Sequence, residues 1–347
     1  MSLFKCRPGM LPHLATVLVA ALSQIACGAA FGQAAGDQGE APKSVKTALD
    51  APATSPPAAT VSAVATAPKL EAALDSKVGT DWVRVEFDAN KKPLAMQTAI
   101  VRYTGQAAGT DGQRRDVAVD LIGAVHVGDV AYYEDLNKKF TQYDALLYEL
   151  VAPPGTVVEP GRGTSNRHPV GILQNGMKTM LELDHQLEKI DYKKPNFVHA
   201  DMSPDQFAKA MRDRNESFLQ MYFRLLGTAL AQQGDLAANA PSDIDVFAAL
   251  FAKDRPRRLK ILLAQQMADM ESILVSFGGE QGSAIITDRN KIALNVLKDQ
   301  LAGGKTRVGI FYGAGHLQDM DERLRKDFAL KPAAISWVTA WNLAESR

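Results

Sequence analysis

Two histidines occupy nearly the same short motif near opposite ends of the chain. Residues 123–126 read Gly-Ala-Val-His, residues 313–316 read Gly-Ala-Gly-His, and each motif follows an apolar, strand-like run. A histidine that ends a strand can turn its ring into a crevice, where the imidazole binds a metal or carries a proton. The repetition predicts that His126 and His316 converge on one site, although either motif alone is also typical of a hydrogen-bonded structural histidine.

A single carboxylate interrupts the apolar run from Ala145 to Val151. Burying Glu149 in such a strand is costly unless another group pairs with its charge, so this residue is the third candidate for the site. Two imidazoles and one carboxylate with open coordination positions are typical of a catalytic rather than a closed structural metal site. A divalent ion there would lower the pKa of a water towards neutrality and polarise a carbonyl.

Further polar residues lie where they could assist. Arg289, just inside a predicted helix start, has the planar donor set that clamps a carboxylate or stabilises an oxyanion, but a solvated arginine fits the sequence equally well. His199 and Asp201 form an H-x-D pair in a predicted loop and could add a ligand or support one. Asp129 and Asp319 follow the two histidine motifs at equivalent positions, and both also fit as helix N-caps.

The elements around each motif predict how these residues are positioned. Each motif is preceded by a strand and followed by a helix and then another strand, so this order occurs twice. We predict an α/β fold with a central mixed sheet built from these two halves, in which the crevice at the carboxyl ends of the strands is the ligand site. The predicted core strands cover residues 117–122, 145–151, 307–312 and 334–340, and residues 81–103 form an edge hairpin, followed by a turn at 105–115.

A long helical insertion, residues 152–280, separates the two halves. It begins with a loop rich in Pro and Gly and continues with the three–four spacing of amphipathic helices, with His185 on a helix surface. The predicted helices of the insertion cover residues 173–190, 205–230 and 243–277. A further helix opens with Thr287 as its N-cap, and another opens with Asp319 in a capping-box pattern.

The first 79 residues do not read as part of this domain. Basic residues precede an apolar run and a small-residue region, the pattern of a secretory signal peptide, which we assign to residues 1–32. Residues 33–79 predict a disordered tether, because a segment of Ala, Pro, Ser and Thr buries too little apolar surface to offset its ordering entropy. The domain then covers residues 80–347. We expect a periplasmic or secreted protein, with a lipid anchor on Cys27 as the alternative.

Cysteine content and charge exclude several classes of function. Both cysteines, Cys6 and Cys27, lie in the predicted signal, so the mature chain has neither a thiol nucleophile nor a thiolate metal ligand. The formal net charge is +0, with acidic and basic residues interspersed, so nucleic acid is not an expected partner. No stretch after the signal reads as a membrane span.

Four motifs, in this order, resemble the TraB/PrgY/GumN family. They are G-A-V-H-V-G-D at residues 123–129, Y-E-L at 148–150, T-D-R-N at 287–290 and G-A-G-H-L at 313–317. The family is allied to the TIKI metalloproteases and, more remotely, to the erythromycin-esterase and ChaN-like proteins. The resemblance extends from about Val117 to the C-terminus. It implies that His126, Glu149, Arg289 and His316 line one cleft, with a divalent metal in the TIKI-type members. Asp288 departs from the family's glutamate and is left out of the predicted site.

Together the residues and the resemblance predict an exported, metal-dependent hydrolase that acts on a peptide or protein. His126, Glu149 and His316 are expected to hold a divalent ion (Mn, Co or Zn), and Arg289 to orient substrate or support a developing oxyanion. Whether Glu149 is a ligand or a general base stays open. The last strand has no carboxylate that matches Glu149, so a two-metal site is not expected. The alternatives are a non-catalytic envelope protein that binds a peptide, a metal or haem, and a structural protein with a vestigial site.

Overall fold

The computed structural model describes residues 82–158, 180–217, 220, 243–277 and 282–345. The predicted signal peptide, with Cys27, and the predicted tether lie outside these residues. Parts of the helices predicted at 173–190 and 205–230 lie outside them as well.

Seven of the strands in the described residues form one mixed sheet. The strands are β1 (Val83–Phe87), β2 (Pro93–Ala108), β3 (Arg114–Ala124), β4 (Val127–Gly128), β5 (Ala145–Tyr148), β6 (Asp184–His185), β7 (Phe197–His199), β8 (Arg307–Gly313) and β9 (Lys331–Asn342). The order in the sheet is β1-β2-β3-β8-β5-β7, and β9 also pairs with β2. Strands β4 and β6 form a separate two-stranded sheet. The predicted α/β fold with a central mixed sheet is confirmed.

Seven helices lie between these strands in the described residues. They are α1 (Val130–Phe140), α2 (Gln186–Lys189), α3 (Pro204–Asp213), α4 (Asp243–Leu250), α5 (Arg255–Phe277), α6 (Arg289–Ala302) and α7 (Leu317–Lys326). A π-helical turn (Ala284–Asp288) leads into α6, and a 3-10 turn (Ala314–His316) leads into α7. Among the described residues, no helix combines the length and the apolarity needed to cross a membrane.

The parallel part of the sheet brings both histidine motifs to one edge. Strands β3, β8, β5 and β7 run parallel, with Ala124 opposite Gly313, and Tyr148 opposite both Phe311 and His199. These four strands therefore end at nearly the same level. Each histidine motif begins in the last residues of its strand, so the sheet itself places the two motifs side by side.

The antiparallel part of the sheet makes the two halves unequal. After the first motif the chain returns as β5, parallel to β8, but after the second it crosses to β9, antiparallel to β2. The predicted turn at 105–115 is also shorter than expected, because β2 runs on to Ala108 and β3 begins at Arg114. Polar cross-strand pairs such as Gln106 with Asp116 continue the ladder there, at 3.1 Å between side chains.

Both faces of the sheet are buried, as the alternation along β8 shows. Val308, Ile310 and Tyr312 belong to a cluster that includes residues of α6 and α7, and none of these side chains is exposed. Phe311 belongs to the cluster on the other face, where its ring centroid lies 4.9 Å from that of Phe140 in α1. Successive side chains of a strand point to opposite faces. A strand that is apolar on both faces is therefore covered by helices on both sides, as expected for a parallel sheet.

The helix predicted at 243–277 is wrong as a single element. It is two helices, since α4 ends at Leu250 and α5 begins at Arg255. Asp254 starts the second helix: its carboxylate accepts from Arg258 at 2.7 Å, and its carbonyl accepts the Arg258 N–H at 3.1 Å. Proline lacks an N–H to continue a preceding helix, so Pro256 fits the first turn of a new one.

Two other predicted helices are shorter than expected where they are described. In the segment predicted at 173–190, residues Asp184–His185 form β6, and α2 has a single turn. Helix α3 begins as predicted, with Ser203 as a capping-box N-cap, but it ends at Asp213. Asn215 then has a φ of 52°, which takes the chain out of the helical path. Strand β7 also lies within the predicted helical insertion, residues 152–280, where His199 was expected in a loop, and it joins the central sheet beside β5.

Candidate functional site

The two histidine motifs and Glu149 meet beside Gly313, the last residue of β8. A Cβ atom placed on Gly313 would lie 3.2 Å from Glu149 Oε2, 3.9 Å from His126 Nε2 and 3.9 Å from His316 Cδ2. Because glycine has no side chain, none occupies this point, and the two imidazoles and the carboxylate all lie within 4 Å of it. The structure thus brings together the three residues from which the sequence predicted a site.

Glu149 is mostly buried directly after β5 and is bonded through both carboxylate oxygens. Its Oε2 accepts the Gly313 N–H at 2.7 Å, and its Oε1 accepts from Arg289 Nη2 at 2.7 Å. Burial by itself would raise the pKa of Glu149. The positive charge of Arg289, the two imidazoles and the Gly313 N–H outweigh burial and hold that pKa well below its ordinary range. Glu149 is therefore ionised at neutral pH.

Arg289 is the central cation of the site, with a side chain only 3% exposed. It forms a two-point pair with Asp201, from Nε to Oδ1 at 2.9 Å and from Nη2 to Oδ2 at 2.5 Å, in addition to its bond to Glu149. Its Nη1 lies 3.5 Å from His316 Nε2. The solvated arginine that the sequence left open is thus not what is found. Arg289 joins the carboxylates that follow β5 and β7.

The helix start that carries Arg289 differs from the prediction. Ser283 is the N-cap, because its Oγ accepts a backbone N–H of the π-helical turn at 3.1 Å. The predicted cap, Thr287, lies inside that turn, and its Oγ1 accepts the Ser283 N–H at 3.1 Å. Arg289 and Asn290 follow as the first residues of α6, both buried. π-Helical turns are often found at functional sites, and here one precedes the two residues that enter the site.

His316 is buried in the 3-10 turn after β8. Its Nδ1 lies 2.7 Å from Asn290 Oδ1, and its Nε2 lies 3.5 Å from Glu149 Oε1. The ring packs edge-on against Tyr312, with centroids 5.3 Å apart. Burial lowers the pKa of His316 to about 4, with Arg289 acting in the same direction and Glu149 against it. The imidazole is therefore neutral at neutral pH.

His126 lies just past the end of β3 and is partly exposed. Its carbonyl accepts the Gln186 N–H at 2.9 Å, and the next residue, Val127, pairs with His185 in the small β4–β6 sheet. Burial lowers the pKa of His126, and Arg289 lowers it further, against the opposing effect of Glu149. The site therefore combines two neutral imidazoles with an ionised carboxylate.

The two equivalent aspartates have different partners, and neither side chain caps its helix. Asp129 occupies the N-cap position of α1, but its carboxylate accepts from Lys260 at 2.8 Å and from a backbone N–H of β9 at 2.5 Å. The capping box predicted at Asp319 is wrong, because α7 already begins at Leu317, directly after the 3-10 turn. Asp319 instead accepts from Asn290 Nδ2 at 2.8 Å. Only the second aspartate thus supports the site.

Of the H-x-D pair, His199 and Asp201, only the aspartate contacts the site. His199 ends β7 instead of lying in a loop, and its Nε2 is 2.6 Å from the Leu150 carbonyl, whereas Asp201 reaches Arg289. The prediction that His185 lies on a helix surface is wrong. His185 is 6% exposed, because its pairing in β6 turns this segment into a strand against the residue that follows His126.

The donor types of the site suit a divalent ion, but their present arrangement does not hold one. Neutral imidazoles and an ionised carboxylate are suitable ligands, and Gly313 leaves space between them. Arg289, however, donates to Glu149 and approaches His316 Nε2, so it lies against two of the three candidate ligands. Within the described part of the chain, no three His, Cys, Asp or Glu side chains form a group that could hold a metal as they stand. An ion would have to share Glu149 with the guanidinium.

No family model, curated protein or solved structure matches the chain. The site is therefore characterised by its own geometry. That geometry adds two groups that the sequence reasoning missed, the Asn290 side chain and the Gly313 N–H. Both stand within the motifs T-D-R-N and G-A-G-H, which also contain the predicted site residues Arg289 and His316. Their position inside those motifs was the only sign of them in the sequence.

Proposed function

We propose that the protein is an exported, metal-dependent hydrolase of the TraB/GumN type that cleaves peptide bonds. The proposal depends above all on one observation: His126 Nε2, the Glu149 carboxylate and the His316 ring all lie within 4 Å of one point beside Gly313, at the carboxyl ends of parallel strands. This edge of an α/β sheet is where such folds bind ligands. The resemblance of the four motifs supplies the reaction class, and the signal-like N-terminus supplies export to the periplasm or beyond.

We assign Glu149 to the ligand set rather than to proton transfer. A general base works best when its pKa lies near the working pH. Arg289 and the two imidazoles hold the pKa of Glu149 far below that range. A carboxylate that stays ionised and is weakly basic suits the binding of a cation better than the removal of a proton.

The two histidines would complete the ligand set. Both are neutral at neutral pH, so each imidazole can offer an unprotonated nitrogen to an ion held with Glu149. A bound Mn, Co or Zn ion supplies Lewis acidity, which polarises a substrate carbonyl and makes a water more acidic. Glycine at position 313 keeps a side chain out of this ligand set, since even a Cβ atom there would lie 3.2 Å from Glu149 Oε2.

Arg289 has two roles in this proposal. Its pair with Asp201 fixes the guanidinium, and the guanidinium in turn fixes and keeps ionised the carboxylate of Glu149. Its Nη1, 3.5 Å from His316 Nε2, borders the same space and is the atom that we propose to support a developing oxyanion. Electrostatic support of this kind is effective because the side chain is already ordered before substrate binds.

Turnover of a peptide library by the purified protein tests the proposal. We expect cleavage that is lost with a chelator and restored by Mn, Co or Zn. In His126→Ala and His316→Ala the rate should fall by roughly 100-fold or more, the order of magnitude expected when one group that acts on the reacting atoms is lost. Asp213→Ala is the matched control, because this exposed residue pairs only with Lys209 on the surface of α3 among the described contacts. Products that persist unchanged in both histidine variants would contradict the assignment.

One observation favours a second candidate, a protein that captures a peptide or a metal without turnover. Arg289 already bonds to Glu149 and borders His316, so the site is neutralised in part without an ion. Stoichiometric binding of a library peptide, with no products after prolonged incubation with each metal, would favour capture over hydrolysis.

A further inference from the structure

The contacts of Asn290 determine which way its amide group points. Its Nδ2 lies 2.9 Å from the His316 carbonyl and 2.8 Å from Asp319 Oδ2. Both partners are oxygen acceptors, and an amide NH₂ has two protons to donate. Exchanging the amide oxygen and nitrogen would place an acceptor against two acceptors. The nitrogen must therefore face these oxygens, and Oδ1 must face His316.

This orientation determines the tautomer of His316. Asn290 Oδ1 lies 2.7 Å from His316 Nδ1, and an amide oxygen can only accept a hydrogen bond. Nδ1 must then carry a proton. In a neutral imidazole the other nitrogen, Nε2, is left with its lone pair, and it points to the side where Glu149 Oε1 lies at 3.5 Å.

Asp319 and Arg323 hold Asn290 in this orientation. Arg323, one turn further along α7, donates two hydrogen bonds to the Asp319 carboxylate, from Nε to Oδ2 at 2.8 Å and from Nη2 to Oδ1 at 2.9 Å. The Asn290 side chain itself is completely buried, so no water competes for its amide. The chain Arg323–Asp319–Asn290–His316 thus runs from the surface of α7 to the imidazole.

We propose that Asn290 is a positioning residue that fixes His316 as the Nδ1–H tautomer and so presents an unprotonated Nε2 to the site. This inference deepens the proposed function, since a metal ligand needs that lone pair. Metal-binding histidines in general depend on a partner of the second nitrogen for orientation and tautomer. The tautomer itself, however, is a property of the metal-free chain and can be measured without any activity.

The test is a long-range proton–nitrogen correlation spectrum of the full chain labelled with ¹⁵N-histidine, without metal, at neutral pH. The His316 ring is assigned by the signal that disappears in His316→Ala. We expect wild-type His316 as the Nδ1–H tautomer. A ring that carries its proton on Nε2, or on both nitrogens, would overturn the proposal even if the protein proves to be a hydrolase.

Substitutions of Asn290 then test the cause. Asn290→Leu removes the acceptor, and we expect the proton to move to Nε2, where Glu149 Oε1 is the available partner. Asn290→Asp keeps an acceptor oxygen towards Nδ1, and its second oxygen must carry a proton, because it faces the His316 carbonyl and Asp319 Oδ2. This variant should retain the Nδ1–H tautomer. Asn137→Leu is the matched control, and it should leave the spectrum of His316 unchanged. Asn137 is a partly exposed residue of α1 whose amide donates to the Lys189 carbonyl and accepts the Asp191 N–H. An Nδ1–H signal that persists in folded Asn290→Leu would refute the role of Asn290.

A second measurement covers the case in which Asn290→Leu does not fold. Titration of folded Asn290→Asp and of the wild type with Zn alone should give affinities of similar magnitude. Asp319→Ala removes one of the two acceptors that orient the Asn290 amide, and it should bind Zn about 10–100-fold more weakly. Equal Zn affinity of Asp319→Ala and the wild type would count against the chain of contacts. The Zn titration, the tautomer of wild-type His316 and the peptide assay are independent measurements. A failed role for Asp319 can therefore be told apart from a failed hydrolase assignment.

Discussion

Replacing Arg289 by methionine should be the most damaging single change in the site. The guanidinium is 3% exposed and serves two carboxylates, Asp201 with a side-chain exposure of 0% and Glu149 with 12%. Removing one partner of a buried ion pair costs about 3–5 kcal/mol, because a charge is left without compensation. Two carboxylates lose their cation here, so we expect a loss in the upper half of that range. Domain stabilities are about 5–15 kcal/mol, so the variant should still fold but with a small margin.

The loss should depend on pH in a direction that the site determines. In the wild type the pKa of Glu149 lies below its ordinary 4.5, so its stabilising effect is complete above pH 4.5 and is lost as the pH falls further. In Arg289→Met the pKa of the buried carboxyl rises instead. The folded variant then binds a proton that the unfolded chain does not, so its stability decreases as the pH rises, by up to about 1.4 kcal/mol per pH unit for one carboxyl. The difference between variant and wild type should thus be larger at pH 8 than at pH 5.

Urea unfolding followed by tryptophan fluorescence at both pH values measures this difference. Arg258→Met is the control, because Arg258 and its partner Asp254, the residue before α5, have side-chain exposures of 54% and 41%. It should show no comparable loss at either pH. A destabilisation of Arg289→Met below about 1 kcal/mol, the level of an exposed pair, would refute the central place of this cation. So would a loss of the same size at pH 5 and pH 8.

Three other perturbations test neighbouring parts of the site. Gly313→Ala puts a methyl group 3.2 Å from Glu149 Oε2, so we expect weaker binding of Zn or Mn by calorimetry with the fold retained in circular dichroism. The pKa of His316 is about 4 in the folded protein, against an ordinary 6.5. As the pH falls from 6.5 to 4, His316 is therefore protonated in the unfolded chain but not in the folded one, and about 3 kcal/mol of stability is lost. His316→Gln should flatten that part of the stability curve in urea titrations. Tyr312→Phe removes the donor to the buried Ala200 carbonyl and should cost about 1–3 kcal/mol in the same assay, a loss that an unchanged midpoint would contradict.

The positions of the core strands follow from local patterns, and so does the sharing of one edge by the site residues. Buried parallel strands are continuous apolar runs, and such runs precede His126 and His316 and include Tyr148, next to Glu149. Because parallel strands end at the same edge, their terminal residues are brought together whatever loops lie between them. Arg289 was found through its motif, and its burial could not have been foreseen. The strand-like runs predict where a residue lies, and they do not predict its partners.

The partners of Asp129 and Asp319 show why the rest could not be predicted. Both aspartates stand three residues after a motif histidine and at the start of a predicted helix, so their local sequences give the same expectation. Asp129 pairs with Lys260, 131 positions away, and Asp319 bonds to Asn290, 29 positions away. Each choice depends on which distant helix packs beside the strand end. β9 is a similar case, since nothing in its own pattern distinguishes pairing with β2 from pairing with β8.

The start of α6 is what makes the separate strand ends into one site. Consecutive residues of a helix point about 100° apart, so the side chains of Arg289 and Asn290 face different sides of the site. Arg289 binds the carboxylates that follow β5 and β7, and Asn290 binds the imidazole that follows β8. The π-helical turn before them shifts the helix register by one residue relative to an ordinary turn. Shifting that register again would turn both side chains away together. Glu149 and Asp201 would then lose their cation in the same step in which His316 loses the acceptor that fixes its proton.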